Sequence, residues 1–397
     1  MHISFLLPAF HSASGGGGAE SYVSTMAEAL VERGHRVSII ALGKGNLSNG
    51  QVRLIQLAAP RWHWFLYRGL PFGKSMAMPV REIEWSRRAW SALMELNAQD
   101  PVDVVETGET MVLQQTTRGR KPSVVIRGHG NPLAIKRFSG KRVGWGDRLG
   151  RKLQVAGVRR AKAITAVSAF QAGEIARDLD VKQDTISVIP NPISERLLRC
   201  ALAQTQNEPE SPTVLYTGRI EYRKGTLDLL RSTPLVARQF PNVKYLIVGA
   251  RDSSINDETL DEVLNQPDVR LHVEFCGHVP WQQLAEWYAR ASVFVMPSYY
   301  ETFGISVIEA MAFGLPVVAT NAGGLPEVVQ DNVTGILVPP KDPNALADAI
   351  VRLLRDPELR RRLGNAGRER VLSEFTTEHI VDQTLEVYEN ACRLDGR

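Results

Sequence analysis

Short apolar runs alternate with stretches in which apolar residues recur every three or four positions, and this alternation occurs twice along the 397 residues. In the first half, ISFLLP, RVSIIAL, VDVVET, SVVIRGH, AITAVS and ISVIPN read as buried strands separated by helical patterns such as AESYVSTMAEALVERGH. Strands that alternate with helices predict parallel βαβ units, because a parallel neighbour has to be reached by a crossover connection. The helix predicted from about Ala19 to Arg33 carries Tyr22, Val23, Met26, Ala27 and Leu30 on one face and stops before Gly34, where a C′ glycine belongs. Residues 201 to 212, ALAQTQNEPESP, are polar, hold two prolines and have no period, which marks a linker. A second alternation follows: TVLYTGRI, VKYLIVG, VRLHVEFCG, SVFVMPS, PVVAT and GILVPP. The expected fold class is α/β, with two Rossmann-like parallel-sheet domains facing a central cleft, at residues 1–200 and 201–375. Ligands of such sheets bind beyond the carboxyl ends of the strands, and pockets favour domain interfaces.

Composition supports that division, since 44% hydrophobic and 23% charged residues over this length suit two ordinary cores. Cys200, Cys276 and Cys392 are far apart and form no CxxC pair, so neither a disulfide framework nor a structural zinc site is expected. The opening MHISFLLPAF has no basic n-region and carries Pro8, unlike a secretory leader. The longest uncharged stretch, AMAFGLPVVATNAGGLP, is broken by Pro316 and glycines and is too polar to span a bilayer. A cytoplasmic location is expected.

Charge changes the picture locally. Between Arg118 and Lys162 there are fourteen basic residues against the single acid Asp147, so of the net charge of +4 this segment supplies +13 and the rest −9. Such a block suits an anionic membrane surface, which would make the protein peripheral at the inner face, or a phosphorylated acceptor. A solvated basic face without a partner fits equally well. Trp62, Trp64, Phe65, Tyr67 and Phe72, ahead of it, could line an acceptor groove, meet a membrane interface or pack internally. No nucleic-acid partner is expected.

Candidate chemistry lies at strand ends. After the first strand, Gly15 to Gly18 lead into a helix whose N–H groups can face an anion. The dinucleotide pattern G-x-G-x-x-G fails in both registers, at Glu20 and Ser21, and no acid ends the second strand, which argues against a nicotinamide oxidoreductase. TGRIEYRKGT places Arg219 and Lys224 in a glycine-punctuated turn suited to a diphosphate, Arg by bidentate bonds and Lys as a point charge. In ETFGISVIEA, Glu301 precedes a helix that ends near Gly314, and Glu309 lies inside it among apolar neighbours, where an unpaired charge is costly. The N–H groups of Gly304, Ile305 and Ser306 would face an anion. Gly323, Gly324 and Glu327 read as an ordinary helix start. His129, flanked by Gly128 and Gly130 at a strand end, is open to a ligand's close approach. The D-x-D at Asp178 and Asp180 reads as solvated loop, so no metal site is expected.

Together these segments resemble the retaining glycosyltransferases of family 4, which have the two-Rossmann-domain fold called GT-B. The resemblance is carried, in family order, by GGGGAE, GH at His129, AVS at Ser168, VIPN at Asn191, GRIEYRKG, FCGHVP, ETFGISVIE and GGLPE, and covers nearly the whole chain. Pro192 stands where the family usually has glycine after the asparagine. The resemblance implies transfer of a sugar from a UDP- or GDP-sugar, with retention, to a glycan, lipid-linked or small-molecule acceptor. Arg219 and Lys224 would take the diphosphate, Glu309 the ribose, and Glu301, Thr302 and the backbone of Phe303, Gly304, Ile305 and Ser306 the donor sugar. Val279 would lie near the base, His129 beside the transferred sugar, and Gly16, Gly17 and Gly18 on the phosphate and acceptor side. A last helix, within 376–397, would cross back to the first domain. Neither cofactor nor metal is implied, the nucleotide sugar being a substrate. A sugar-nucleotide epimerase of the same fold and a non-catalytic nucleotide-sugar binding protein are the alternatives.

Overall fold

A computed structural model describes the chain except residues 9–16, 43–49, 59–72, 110–120, 131, 139–141, 205–208, 252–256 and 395–397. The aromatic residues from Trp62 to Phe72 and Gly15, Gly16 and Lys141 therefore lie outside the described residues. In chain order the elements are β1 (His2–Leu7), α1 (Gly18–Glu32), β2 (Arg36–Leu42), β3 (Arg53–Leu57), α2 (Gly73–Gln99), β4 (Val104–Thr107), β5 (Ser123–Gly128), α3 (Pro132–Phe138), α4 (Trp145–Val158), β6 (Ala163–Ala166), α5 (Ala169–Leu179) and β7 (Ile186–Val188). There follow α6 (Glu195–Ala203), β8 (Thr213–Thr217), α7 (Thr226–Ala237), β9 (Lys244–Val248), α8 (Asp257–Leu264), α9 (Pro267–His272), β10 (Val273–Gly277), α10 (Trp281–Ala289) and β11 (Val293–Met296). The last are α11 (Ile305–Ala312), β12 (Val317–Thr320), α12 (Leu325–Val328), β13 (Gly335–Val338), α13 (Pro343–Arg355), α14 (Pro357–Glu374) and α15 (Thr377–Arg393).

Two compact units result, Met1–Pro190 with Thr377–Arg397, and Asn191–Thr376. The first holds a seven-stranded sheet in the order β3-β2-β1-β4-β5-β6-β7, the second a six-stranded sheet in the order β10-β9-β8-β11-β12-β13. The strands pair in parallel in both. Each sheet therefore winds outward from its first strand and then reverses, at β1/β4 in one and β8/β11 in the other. A reversal leaves a crevice at the carboxyl ends of the two central strands, where helices depart to opposite faces.

In the first unit the predicted stripe on α1, Tyr22, Val23, Met26, Ala27 and Leu30, is buried against Ile3, Phe5 and Val37. Each large member contributes about 1.5–3 kcal/mol by leaving water. The helix stops as expected, with Gly34 at φ +79°. Ile380, Val381 and Tyr388 of α15 belong to this same core. In the second unit α6 buries Leu197, Leu198 and Ala201 and packs against α10 and α11, so the division falls before α6, between Pro190 and Asn191. Two arginines of α14 close helix ends there: Arg360 donates to the carbonyls of Leu353 and Leu354, and Arg368 to those of Ala312 and Ala201. These carbonyls belong to helix carboxyl ends, where orphan acceptors collect.

Two local expectations are corrected, and one strand was not expected. VRLHVEFCG is not one strand: Pro267 and Asp268 start α9, a good N-terminal pair, and only Val273–Gly277 is extended. RLIQL forms β3, an edge strand whose short, partly exposed pattern gave little signal. Asp178 is not solvated loop either, because α5 continues through Leu179 and carries the Asp178 side chain inward. There it accepts from Nη1 and Nη2 of Arg137 at 3.3 and 2.7 Å. Asp180, at φ +55°, stays exposed and pairs with Arg159 at 2.7 Å.

Candidate functional site

The reversal of the second sheet brings its two central loops together. Leaving β8, the chain passes Gly218 and Arg219 and makes a short turn over Tyr222–Lys224 that ends at Gly225, φ +66°. A Cβ on Gly225 would lie 1.9 Å from the Pro297 carbonyl oxygen, so only glycine permits this approach to the segment leaving β11. The Tyr299 N–H donates to the Arg223 carbonyl at 2.8 Å and Arg223 Nη1 to that of Tyr300 at 3.1 Å, locking the loops. Lys224 Nζ then meets Glu301 Oε2, with only 15% and 11% of the two side chains exposed. Burial alone would push the Glu301 carboxyl up, but Lys224 and Arg223 outweigh it and hold the group below the usual carboxylate range.

Arg219 and Lys224 differ in exposure and in partner. The Arg219 guanidinium is 57% exposed and lies 3.6 Å from the buried Glu221, which also pairs with Arg223. Arg223, one residue before the lysine singled out in the sequence, is thus the second buried cation at Glu301. Its place beside Lys224 in the same turn was the available signal.

Glu301 is held from its backbone as well. Gly323 has φ +63°, and a Cβ there would lie 2.0 Å from the Glu301 carbonyl oxygen, while the Gly324 N–H donates to that same oxygen at 2.8 Å. The glycine pair expected merely to begin a helix therefore fixes the glutamate. Thr302 and Phe303 are buried, the latter edge-on to Phe375 at 5.7 Å. Gly304, at φ +105°, leads into α11, whose first residues Ile305 and Ser306 are half-buried. Glu309 is half-buried one turn further and accepts from the Tyr288 hydroxyl at 2.7 Å. Burial raises its pKa, and the bond from Tyr288 works against that rise. Val279 follows the outermost strand β10, with β9 between that strand and β8.

The first unit has its own polar cluster. His129 follows β5, half-buried, its ring 4.9 Å from that of Tyr22. Burial, and then the nearby Arg127 charge, holds the imidazole well below its ordinary pKa, so it is neutral at pH 7. The Arg127 guanidinium lies over the Tyr22 ring at 4.0 Å and donates to the carbonyls of Ile189 and Pro190, both at 3.0 Å. Tyr22 and Tyr388 donate to Glu106 at 3.3 and 2.8 Å. In the sequence Tyr22 figures only in the α1 stripe and Arg127 only in the basic block, and Glu106 and Tyr388 were not singled out, because inside a strand and a helix they look like core. Glu109, buried just after β4, is pushed up to about 8 by burial and by Glu174 and Asp178. Gly17 caps α1 with open space where a Cβ would point, and Gly18 is the first residue of that helix.

The basic segment is partly spoken for. Lys136 pairs with Asp147 and Arg137 with Asp178, and Arg151 caps α5 through the carbonyls of Asp178 and Arg177. Trp145, Arg148 and Lys152, at i, i+3 and i+7 of α4, are exposed, the tryptophan by 63%. Arg142, just before α4, and Phe138, 46% exposed at the end of α3, are also at the surface. No helix among the described residues is long and apolar enough to cross a membrane.

Comparison with known proteins agrees with this fold. A model of glycosyl transferases group 1 matches residues 201–370, and one of glycosyltransferase family 4 matches residues 16–196. The alpha-maltose-1-phosphate synthase of Mycolicibacterium smegmatis is 33% identical over 272 residues, 64% of this chain and 70% of that protein. An uncharacterized glycosyltransferase of Methanocaldococcus jannaschii is 31% identical over 243 residues, and the match spans 59% of this chain but only 61% of the relative's length. The solved sucrose-phosphate synthase of Thermosynechococcus elongatus superposes with a TM-score of 0.76 at 26% identity, covering 98% of both chains.

Proposed function

The chain belongs to the glycosyl transferases of group 1 and family 4, and from that premise we propose that it moves a sugar from a UDP- or GDP-sugar to a glycan, lipid-linked or small-molecule acceptor, with retention and without a metal. The observation that carries this reading is the ion pair of Lys224 and Glu301, buried where the loops leaving β8 and β11 converge. A crevice there offers a sugar diphosphate both a cation and a carboxylate.

In this reading Lys224 and the exposed Arg219 receive the diphosphate, and Lys224 exchanges part of its bond to Glu301 for phosphate oxygens. Glu301, freed on one oxygen, accepts hydroxyls of the donor sugar. Thr302 and the backbone of Phe303, Gly304, Ile305 and Ser306 complete that subsite. Glu309 holds the ribose, Val279 borders the base, and neutral His129 bonds the transferred sugar, with Gly17 and Gly18 on the phosphate and acceptor side. The bond from the anomeric carbon to the β-phosphate oxygen breaks as the acceptor oxygen bonds to the same face, and the acceptor proton passes to the departing phosphate. Negative charge grows on the diphosphate during this step, so fixed cations stabilise the transition state more than the ground state. The exposed Trp145, Arg148 and Lys152 face of α4 suits an anionic lipid surface that would present a lipid-linked acceptor.

A thermal-shift panel of UDP, GDP, ADP, their sugar conjugates and NAD, with and without EDTA, tests the donor site. A ligand specific to the folded state adds about 2.7 kcal/mol at a hundredfold excess over its Kd. Stabilisation by one nucleoside diphosphate, unaffected by EDTA and lost in Lys224→Ala, is expected. Stabilisation by NAD alone, or by none of the panel, would overturn the reading. Anomeric configuration of the product, read by NMR after acceptor screening, tests retention.

A further inference from the structure

Glu309 is the glutamate that the sequence motif explains least, because a carboxylate in the middle of α11 has apolar neighbours Val307, Ile308, Ala310 and Met311, all buried. Its partner comes from another element. Tyr288, near the end of α10, is fully buried, and its hydroxyl lies 2.7 Å from Glu309 Oε2 and 2.9 Å from Thr217 Oγ1 at the end of β8. The tyrosine ring has little freedom: it stacks on Phe313 at 5.2 Å and 26° and lies 6.0 Å from Phe294. Three elements, β8, α10 and α11, thus converge on one oxygen. Either the Thr217 or the Tyr288 hydroxyl could be the donor between them, but a carboxylate only accepts, so the tyrosine proton goes to Glu309 and the threonine donates to the tyrosine oxygen.

We propose that Tyr288, supported by Thr217, is a positioning residue that holds Glu309 in one rotamer toward the ribose of the donor nucleotide, and so sets the preference for a ribose bearing free hydroxyls. The proposal rests on the reading of Glu309 as the ribose ligand. The hydrogen-bond chain fixes the direction of the carboxylate: Oε2 is committed to Tyr288, which leaves the other oxygen available for a sugar hydroxyl. A hydroxyl donor held rigidly by stacked rings costs no reorganisation when the nucleotide arrives, which is what makes a binding group selective. It also favours the ionised carboxylate, the stronger acceptor, against the burial that disfavours it. Tyr288 keeps its own proton throughout the working range, since burial and then Glu309 raise its pKa well above the ordinary 10.0.

The test compares the purified full chain with Tyr288→Phe, Thr217→Val and Glu309→Gln, by calorimetry. The probes are whichever of UDP, GDP and ADP binds the wild type, and its 2′,3′-dideoxyribose counterpart. Wild type is expected to prefer the ribose form, and Tyr288→Phe to lose about ten- to hundredfold of that preference, the range for a hydrogen bond to a charged group. Thr217→Val should lose less. Binding of the dideoxy form should be nearly unchanged in all three variants, which separates positioning from loss of fold. The loss in Tyr288→Phe should also shrink as pH rises, because without the hydroxyl donor Glu309 ionises later. That pH trend is not expected of a packing role, since phenylalanine keeps the ring. If Glu309→Gln leaves the ribose preference intact, the ribose role of Glu309 fails and the proposal with it. If Glu309→Gln abolishes the preference while Tyr288→Phe and Thr217→Val keep it, the ribose role stands and the positioning proposal is refuted.

Discussion

Replacing Gly323 with alanine tests how far the Glu301 backbone governs the site. Two costs add. At φ +63° an L side chain sits in the left-handed region, about 1–2 kcal/mol above the favoured wells. The added Cβ would also stand 2.0 Å from the Glu301 carbonyl oxygen, and opening that gap to ordinary van der Waals contact requires more than an ångström of movement. Overpacking of this kind costs about 1–3 kcal/mol. The sum is about 2–5 kcal/mol. The unit concerned, Asn191–Thr376, has 376 − 190 = 186 residues, and at this size each kcal/mol moves Tm by about 2–4 °C. Differential scanning fluorimetry of Gly323→Ala should therefore show Tm lower by about 4–20 °C. An ångström of displacement at Glu301 should also cut kcat/KM by about a hundredfold in the folded fraction. Gly173→Ala is the control: this glycine lies inside α5, its added Cβ would meet Gln183 only at 3.7 Å, and helix propensity favours alanine by about 1 kcal/mol. Its Tm should not fall. An unchanged Tm and unchanged nucleotide affinity in Gly323→Ala would show that the close approach to Glu301 imposes no constraint.

Lys224→Met leaves Glu301 with the Arg223 charge and the Thr302 N–H, and loss of one partner of a buried pair costs about 3–5 kcal/mol, so unfolding in urea should occur at lower concentration. Because the folded-state pKa of Glu301 is depressed, its stabilisation exists above the ordinary 4.5 and disappears as pH falls through the lower folded value; the gap between wild type and Lys224→Met should narrow there. Glu109 behaves oppositely: its folded value near 8 means that stability is full below 4.5 and is lost as pH rises through 8, by at most about 5 kcal/mol at about 1.4 per pH unit. Glu109→Gln should therefore gain on wild type between pH 5 and pH 8.5 in thermal melts, and a constant difference would show that Glu109 is ionised throughout. Reversing charge at Arg142, Arg148 and Lys152, all exposed, should weaken co-sedimentation with phosphatidylserine vesicles, while Arg151 is avoided because it caps α5. Vesicle binding that is absent, or indifferent to salt, would sink the membrane role.

The double α/β alternation was legible because buried parallel strands are near-continuous apolar runs and their helices are amphipathic, as the α1 stripe illustrates. Glu309 stood out because a carboxylate inside a helix among Val307, Ile308, Ala310 and Met311 has few structural excuses, whereas capping and solvation of the helix start account easily for Glu301. What stayed hidden were partners supplied by distant segments. Nothing near Glu309 in the chain announces Tyr288, which lies on a different helix, and nothing near Gly323 announces that it presses on Glu301. Arg127 reads as a charge in a basic block, yet the fold buries it over Tyr22. Asp178 was misjudged because two acids near the end of a helix look solvated until a neighbouring helix supplies Arg137. Local composition reports how a segment is built, and tertiary pairing decides what its polar groups meet.

The return of α15 to the first unit has a consequence for synthesis on the ribosome. The core that contains Ile3, Phe5 and Tyr22 also contains Ile380, Val381 and Tyr388, and Glu106 waits for the Tyr388 hydroxyl. Between Pro190 and Thr377 the ribosome must add the 186 residues of the other unit. At about 5–20 residues per second this takes roughly 10–40 s. Throughout that interval the nascent first unit carries an uncovered apolar face where α15 will dock, although every strand of its sheet has already been synthesised. The second unit can close before the first is finished. The unit that begins first can thus be completed only after the whole of the other has been synthesised.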